Sequence, residues 1–272
     1  MTLLSEAALD ILNTPNARKK AEKTRNFAKQ WRSGEICQIG HADIPIRPAR
    51  PNKPELRNAR EMPKRRKAGT TASKIALLHA LAHIELNAID LAWDVMARGF
   101  DLGDFSLPKA FYDDWVKVAD DEAKHHLMLE ERLNDLGATY GDLPAHDGLW
   151  EASEATAHDF AARLAIVPMV LEARGLDVTP GMIETMNSQG DVKTAEMLKI
   201  IHDDEITHVR AGTVWFEAWC AHHERDVEEY WQELVRTYFH GSLKRPFNHP
   251  SREEAGMIRD WYEPLADMND SA

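Results

Sequence analysis

Four long stretches of the chain repeat apolar residues at intervals of three and four, the period of a helix that buries one face. They cover residues 73–96, 108–136, 150–174 and 192–222. Shorter helical patterns cover residues 3–12, 16–32, 179–188 and 226–239, and signals for strands are almost absent. The sequence therefore predicts an all-α fold in which the four long helices form a bundle.

Prolines and glycines divide these patterns. Pro168 lies inside the third long helix and should bend it, and Gly175 should end it. Thr179 and Pro180 form a cap and a first-turn proline, which predicts the start of a separate short helix. Residues 34–70 should form an extended arm, because they contain few periodic apolar positions and five prolines, at positions 45, 48, 51, 54 and 63.

These boundaries predict three parts. Residues 1–70 would hold two basic helices and the proline-rich arm, residues 71–222 the four-helix bundle, and residues 223–272 a C-terminal helical extension packed on the bundle.

The prediction of the cellular compartment is based on the lack of membrane-span and signal-peptide patterns in the 272-residue sequence. No apolar run approaches the ~18 residues of a membrane span, and the first fifteen residues do not have the basic start and cleavage site of a signal peptide. The two cysteines, Cys37 and Cys220, are far apart and do not form a disulfide framework. We therefore expect a cytoplasmic protein that does not enter a membrane.

The net charge of −12 is distributed unevenly. Residues 1–70 contain sixteen Lys and Arg against seven Asp and Glu, a net charge of +9, so the rest of the chain carries −21. The basic residues could pair with the acidic body or bind a nucleic acid. We favour pairing, because the aromatic residues that stack on bases are sparse in this segment.

Residues suited to metal binding fall on the apolar faces of all four long helices. The first and third helices each carry one inward glutamate, and the second and fourth each carry a Glu-x-x-His motif. The spacing from the lone glutamate to the motif is 37 residues in the first half and 33 in the second. The six residues are Glu85, Glu122, His125, Glu172, Glu205 and His208.

This pattern suits two divalent cations. Side chains three residues apart on a helix are neighbours, so a Glu-x-x-His motif can bind one ion with both groups. Four carboxylates balance two divalent charges, whereas the same carboxylates buried without cations would repel each other. The set is that of carboxylate-bridged di-iron and di-manganese bundles, so we predict two metal ions, iron first and manganese as the other candidate. The alternative is a set of interhelical salt bridges to Arg163, Arg174 or Lys199.

Further polar residues lie near these motifs. Asp121 and Asp204 each precede a motif histidine by four residues, where they could orient its ring or simply lie on the surface. The role of His79, His83 and His202 stays open between extra metal ligands and partly buried, hydrogen-bonded histidines.

Several stretches resemble a bacterial family of ferritin-like proteins that carries the label of a domain of unknown function. They include ALLHALAHIELNAIDLAWD, ARLAIVPMVLEARGLDVTPGM and IIHDDEITHVRAGTVWF, and the resemblance covers nearly the whole chain. More distantly, the order of the motifs is similar to that of ferritins, rubrerythrins, di-iron monooxygenases and the tRNA-modifying di-iron hydroxylase. The resemblance implies that Glu122 and Glu205 bridge the metals, that Glu85 and Glu172 are terminal carboxylates, and that His125 and His208 are nitrogen ligands.

The function that we expect is that of a ferritin-like di-iron oxidoreductase that activates O2 or peroxide and acts on an unknown small substrate. The alternatives are metal or peroxide handling without an organic substrate, and tRNA modification with the basic arm as the nucleic-acid contact. A cage is disfavoured by the arm and the C-terminal extension, so a monomer or dimer is expected.

Overall fold

The computed structural model describes residues 2–62 and 69–266. Among these residues the regular structure is helical, with only two isolated β-bridges, Leu56 to Ala145 and Leu243 to Ala266. The prediction of an all-helical fold is confirmed. Pro63 of the predicted arm, the basic residues that follow it and the last six residues of the C-terminal extension lie outside the described residues.

The helices begin and end as follows in chain order. They are α1 (Leu4–Leu12), α2 (Ala17–Ser33), α3 (Thr71–Ala97), α4 (Lys109–Asp135), α5 (Gly148–Ala155), α6 (Phe160–Ile166), α7 (Ala173–Ser188), α8 (Val192–His222), α9 (Val227–Tyr238), α10 (His249–Glu254) and α11 (Arg259–Tyr262). A π-helical segment, Val167–Glu172, joins α6 to α7, and short 3₁₀ turns lie at Ala59–Glu61 and Glu263–Leu265.

The third long helix differs from the prediction. It breaks before Asp159, whose side chain accepts a hydrogen bond from the backbone N–H of Ala162 and so starts α6 as a new helix. Pro168 gives a π-helical segment, in which the N–H of Ala173 donates to the Pro168 carbonyl, five residues earlier. Gly175 does not end the helix, since α7 runs on to Ser188.

Pro180 lies inside α7 rather than at the start of a helix, and this prediction was wrong. Proline lacks the N–H that would bond to the carbonyl of Leu176, four residues earlier. That carbonyl instead accepts a hydrogen bond of 3.1 Å from the side-chain amide of Asn248. A contact 72 residues away in the sequence therefore supports the helix across its proline.

The contacts between Cα atoms divide the chain into two units. The first unit comprises Met1–Gly99 and Pro108–Glu151, and the second comprises Phe100–Leu107 and Ala152–Ala272. The three-part division expected from the sequence stays a prediction.

The first unit is built on α3 and α4, which pack against each other along their lengths. α2 covers α4 and α1 covers α3. Thr70 forms a capping box with Ser73 at the start of α3, and Gly34, with φ of +81°, ends α2 in a conformation that favours glycine.

Basic residues of the N-terminal segment pair with acids of the same unit. Arg18 contacts Glu130 at 2.5 Å, and Arg25 and Arg32 contact the two oxygens of Asp120 at 2.9 and 2.8 Å. Arg47 also pairs with Asp147, and Arg50 with Asp90. The described part of the arm is therefore attached to its own unit through charge pairs and backbone hydrogen bonds such as that from the Ala49 N–H to the Leu12 carbonyl.

In the second unit, α8 is the central helix. α6, the π-helical segment and α7 all pack on it, and α9 and α10 cover further parts of its surface. α10 is held to α7 by Arg252, whose guanidinium contacts both carboxylate oxygens of Asp177 at 2.8 and 2.7 Å.

Among the described helices, α3 is long and apolar enough to cross a membrane by length and composition alone. In its most apolar window, however, 67% of the residues are buried inside the protein. A core helix gives the same signal, and the burial favours this role for α3.

Candidate metal centre

Three of the predicted ligands meet in the first unit. α3 supplies Glu85 and α4 supplies Glu122 and His125, and the three side chains are almost fully buried, with exposed fractions of 3%, 0% and 0%. The Nδ1 atom of His125 lies 3.2 Å from a Glu85 oxygen and 3.6 Å from a Glu122 oxygen. One donor atom from each residue lies within 4.8 Å of the other two, so the three could hold a metal ion.

The other three predicted ligands lie in the second unit. Glu205 and His208 are buried on α8, and the Nδ1 atom of His208 lies 3.6 Å from a Glu205 oxygen. Glu172 is half-buried and ends the π-helical segment, which packs against α8. The two Glu-x-x-His motifs thus have the same separation between imidazole and carboxylate, and in each unit the element with the lone glutamate packs on the helix with the motif.

A glycine allows the π-helical segment to lie close to α8. A Cβ atom at Gly212 would be 2.5 Å from Cγ and 2.6 Å from Cβ of Pro168, far inside normal contact. Gly212 is four residues after His208 on α8, and Pro168 is four residues before Glu172. The absence of a side chain at Gly212 therefore sets the spacing between the two elements that carry the predicted ligands of this unit.

Two buried aspartates contact basic side chains. Asp90 is fully buried and contacts Lys20 and Arg50, and the buried carboxylate of Asp177 contacts Arg252. Arginine stays positively charged beside a carboxylate. Glu85 and Glu122 lie against an imidazole, whose nitrogen lone pair makes it a metal ligand as well as a base.

The three basic residues of the alternative interpretation form contacts within the second unit. Arg174 contacts Asp177 and two backbone carbonyls, and Lys199 contacts Asp203 on the exposed face of α8. Arg163 donates to the Thr156 hydroxyl and the Ser153 carbonyl.

Two further histidines of α3 hold the loop that follows α4. The Nε2 atom of His83 lies 3.1 Å from the His146 carbonyl, which only accepts, so Nδ1 must accept the 2.8 Å hydrogen bond from the Tyr140 hydroxyl. His79 accepts a bond of 2.9 Å from the N–H of Gly141. Burial lowers the pKa of His83 to about 3 and raises the pKa of Tyr140, so both groups are neutral at physiological pH.

The predicted orienting residues are half-buried. Asp121 contacts Lys117 at 2.8 Å and Lys124 at 3.0 Å, and the backbone carbonyl of Asp204 accepts from the Thr207 hydroxyl. Their role beside His125 and His208 stays a prediction. His202 lies near Asp203 and near the Ser251 hydroxyl.

Sequence reasoning missed one group of possible ligands. Asp104, His222 and His223 in the second unit offer donor atoms that lie within 4.8 Å of one another. Asp104 is 118 residues from His222, so no local pattern in the sequence connects them.

Four buried residues thus offer carboxylate or imidazole atoms that could hold a metal ion. They are Glu85, Glu122, His125 and Glu205. Oxygen and nitrogen donors of this kind suit iron, manganese and zinc.

Comparison with known proteins gives a family. Residues 13–263 match the family described as "Protein of unknown function (DUF455)". A Haemophilus influenzae protein named "Uncharacterized protein" is 41% identical over 216 residues, which are 78% of this chain and 75% of the relative. No solved structure matches the chain significantly. Since the family match spans nearly all of the sequence, the chain belongs to the DUF455 family.

Proposed function

We propose that the chain is a ferritin-like dinuclear metal protein that uses iron to reduce O2 or peroxide and oxidises a small substrate. The ions would be held by the two repeated sets, Glu85 with Glu122 and His125, and Glu172 with Glu205 and His208. The observation that carries the proposal is the burial of a carboxylate pair against one imidazole in the first unit, repeated as a matching Glu-x-x-His pair in the second.

The donor set fits two divalent cations. The Nδ1 atom of His125 is within 3.6 Å of two carboxylates, close to the spacing of about 3 Å between adjacent ligands of one metal ion with bonds near 2.1 Å. Four carboxylates and two neutral imidazoles balance two divalent charges, which removes the repulsion that burial imposes on the acids. Manganese fits the same donors, so iron is proposed on its redox chemistry.

Each residue has a definite part in this proposal. Glu122 and Glu205 would bridge the two ions, Glu85 and Glu172 would each complete one ion, and the two histidines would supply one nitrogen each. A bound pair of iron ions supplies electrons for the reduction of O2 or peroxide. The buried residues of the π-helical segment, among them Met169 and Val170, would exclude bulk water from the site.

The segment Val167–Glu172 supports this assignment in a second way. π-helical turns are rare in proteins and often occur at functional sites, because the extra residue re-aims the side chains that follow. Here the segment ends at Glu172, the only predicted ligand that is half-buried rather than buried. We propose that a substrate or O2 reaches the site beside this residue.

RNA modification is a weaker alternative. Arg18, Arg25, Arg32, Arg47 and Arg50 pair with acids of their own unit, which lowers the positive charge that the described arm offers to RNA. We propose a cytoplasmic monomer or dimer, in keeping with a chain whose two cysteines, Cys37 and Cys220, are far apart in the sequence.

The test combines metal analysis with oxidation kinetics. The full chain is loaded with Fe²⁺ without oxygen, desalted, and analysed for iron before it is mixed with O2. We expect two iron ions per chain and an O2-dependent absorbance change. Glu122→Ala and Glu205→Ala should each lose at least one ion and the fast oxidation, while the exposed controls Glu131→Ala on α4 and Glu196→Ala on α8 should keep both.

Two results would refute the proposal. Retention of two ions and of fast oxidation in Glu205→Ala would show that this carboxylate is not a ligand. Less than one metal ion per chain in the wild-type protein, under loading with either Fe²⁺ or Mn²⁺, would show that no dinuclear centre exists. Repeated turnover of peroxide without any added organic compound would select metal or peroxide handling over substrate oxidation.

A further inference from the structure

We propose that Asp104, His222 and His223 form a second metal site that binds Zn²⁺ at the C-terminal end of α8. The site is separate from the proposed iron centre and does not depend on it. His208 and His222 are fourteen residues apart on α8, a distance of about 21 Å along the helix axis.

The three side chains are already close together. The Nε2 atom of His222 lies 2.9 Å from an Asp104 oxygen, and donor atoms of all three residues lie within 4.8 Å of one another. In a tetrahedral zinc site, with bonds of about 2.0–2.2 Å, neighbouring donors are about 3.3 Å apart. Small rotations of these side chains would therefore suffice to place them around one ion.

The chemistry of the donors favours a late first-row divalent ion. Two imidazoles and one carboxylate are a common set of protein ligands for zinc, and they leave a fourth position for water. The C-terminal end of a helix also attracts a cation, because its last carbonyls carry partial negative charge.

His223 is held in the orientation that a ligand requires. Its Nδ1 atom lies 2.9 Å from the Trp219 carbonyl, which only accepts, so Nδ1 donates and the lone pair is on Nε2. Such a bond from the second ring nitrogen is the usual way in which a protein orients a metal-binding histidine. The ring also stacks on Trp219 with the centroids 4.0 Å apart, which restricts its rotation.

The loop that supplies Asp104 is anchored on the same helix end. Phe105 packs against Trp219 and His222, with ring centroids 5.2 Å apart in both contacts. The neighbouring Asp104 is thereby held near the two histidines, although its own side chain is 88% exposed. Zinc would link this loop to α8 and raise the thermal stability of the second unit.

The test is a Zn²⁺ titration of the full chain with its buried metal content measured beforehand. At pH 7.5, in competition with a chromogenic chelator, we expect one further Zn²⁺ per chain. His222→Ala and His223→Ala should weaken that binding at least tenfold. His158→Ala, another histidine of the second unit that bonds to Tyr238, is the matched control and should bind Zn²⁺ as the wild type does.

Asp104→Asn is the variant that keeps the test decisive if a histidine variant folds poorly, because the residue is on an exposed loop. It should weaken Zn²⁺ binding while the buried metal content is unchanged. Equal Zn²⁺ affinity and stoichiometry in the wild type, Asp104→Asn and His222→Ala would overturn the proposal, as would a wild type that takes up no further zinc. A protein without the iron centre would still bind zinc here, so the two proposals fail separately.

Discussion

Gly212 gives the sharpest test of how the second unit is assembled. Replacing it with alanine adds one methyl group on the face of α8 that meets the π-helical segment. That carbon would lie 2.5 and 2.6 Å from two ring carbons of Pro168 and 3.4 Å from Cγ of Met169. Carbon atoms in contact are normally about 3.5–4.0 Å apart, so the two elements must separate by about 1 Å.

The expected free-energy change is the difference between two effects. Forcing a methyl group into a packed core costs about 1–3 kcal/mol, while alanine gains about 1 kcal/mol over glycine in a helix interior. Since the proline ring cannot rotate away, we expect Gly212→Ala to lower the free energy of unfolding by up to about 2 kcal/mol. The separation should also displace Glu172 and weaken binding of the metal ion that we propose for it.

The control is a helical glycine of the same unit with free space around it. A Cβ atom at Gly181 in α7 would meet no atom within 4 Å, so Gly181→Ala should raise stability by up to about 1 kcal/mol. Urea denaturation of both variants, with metal content measured in parallel, gives the comparison. Equal stabilisation by the two alanines would refute the argument that Gly212 sets the helix spacing.

Three further predictions concern pH, a buried ion pair and metal removal. Burial raises the pKa of Tyr140, so the stability that this group contributes is complete below the ordinary tyrosine pKa of about 10 and is lost as the pH rises above that value. Tyr140→Phe should therefore reduce the slope of the unfolding free energy against pH by up to about 1.4 kcal/mol per pH unit in this range. Urea denaturation between about pH 9 and 11 measures the slope. Arg252→Met should leave the buried carboxylate of Asp177 without its main partner and cost about 3–5 kcal/mol, whereas the exposed Arg236→Met should change the free energy of unfolding by less than about 0.5 kcal/mol. Chelation of the metal that we propose should lower the melting temperature in calorimetry by about 5 °C or more, and Fe²⁺ or Mn²⁺ should restore it. An unchanged melting temperature would contradict a structural contribution of the metal.

Local sequence signals predicted most helices well. α1 to α4 and α8 begin and end within three residues of the predicted bounds, because caps such as Thr70 and Asp191 and the glycine at position 34 act on their own neighbours. The C-terminal part of the third long helix was mispredicted because it depends on a distant group. The amide of Asn248 replaces the hydrogen bond that Pro180 cannot make, and no pattern near Pro180 encodes that contact.

The burial of the candidate metal residues was also predictable from local sequence patterns. A glutamate on an apolar face and a histidine three residues after a second glutamate are visible in the sequence, and the buried positions of Glu85, Glu122 and Glu205 follow from helical periodicity. The π-helical register of Glu172 was not predictable beyond a bend at Pro168. The cluster at Asp104 needed coordinates, since it joins a loop to the far end of a helix.

The hydrogen bond from the Asn248 amide affects the order in which parts of the protein fold during synthesis. A nascent chain emerges with its amino end first, so α7 is synthesised well before the residue that completes it. Until then the Leu176 carbonyl has only water as a partner, and the helix is free to fray on both sides of Pro180. The segment that contains Asn248 therefore stabilises α7 only after it has been synthesised. A chain that ended before Asn248 would have a less stable α7 next to the π-helical segment.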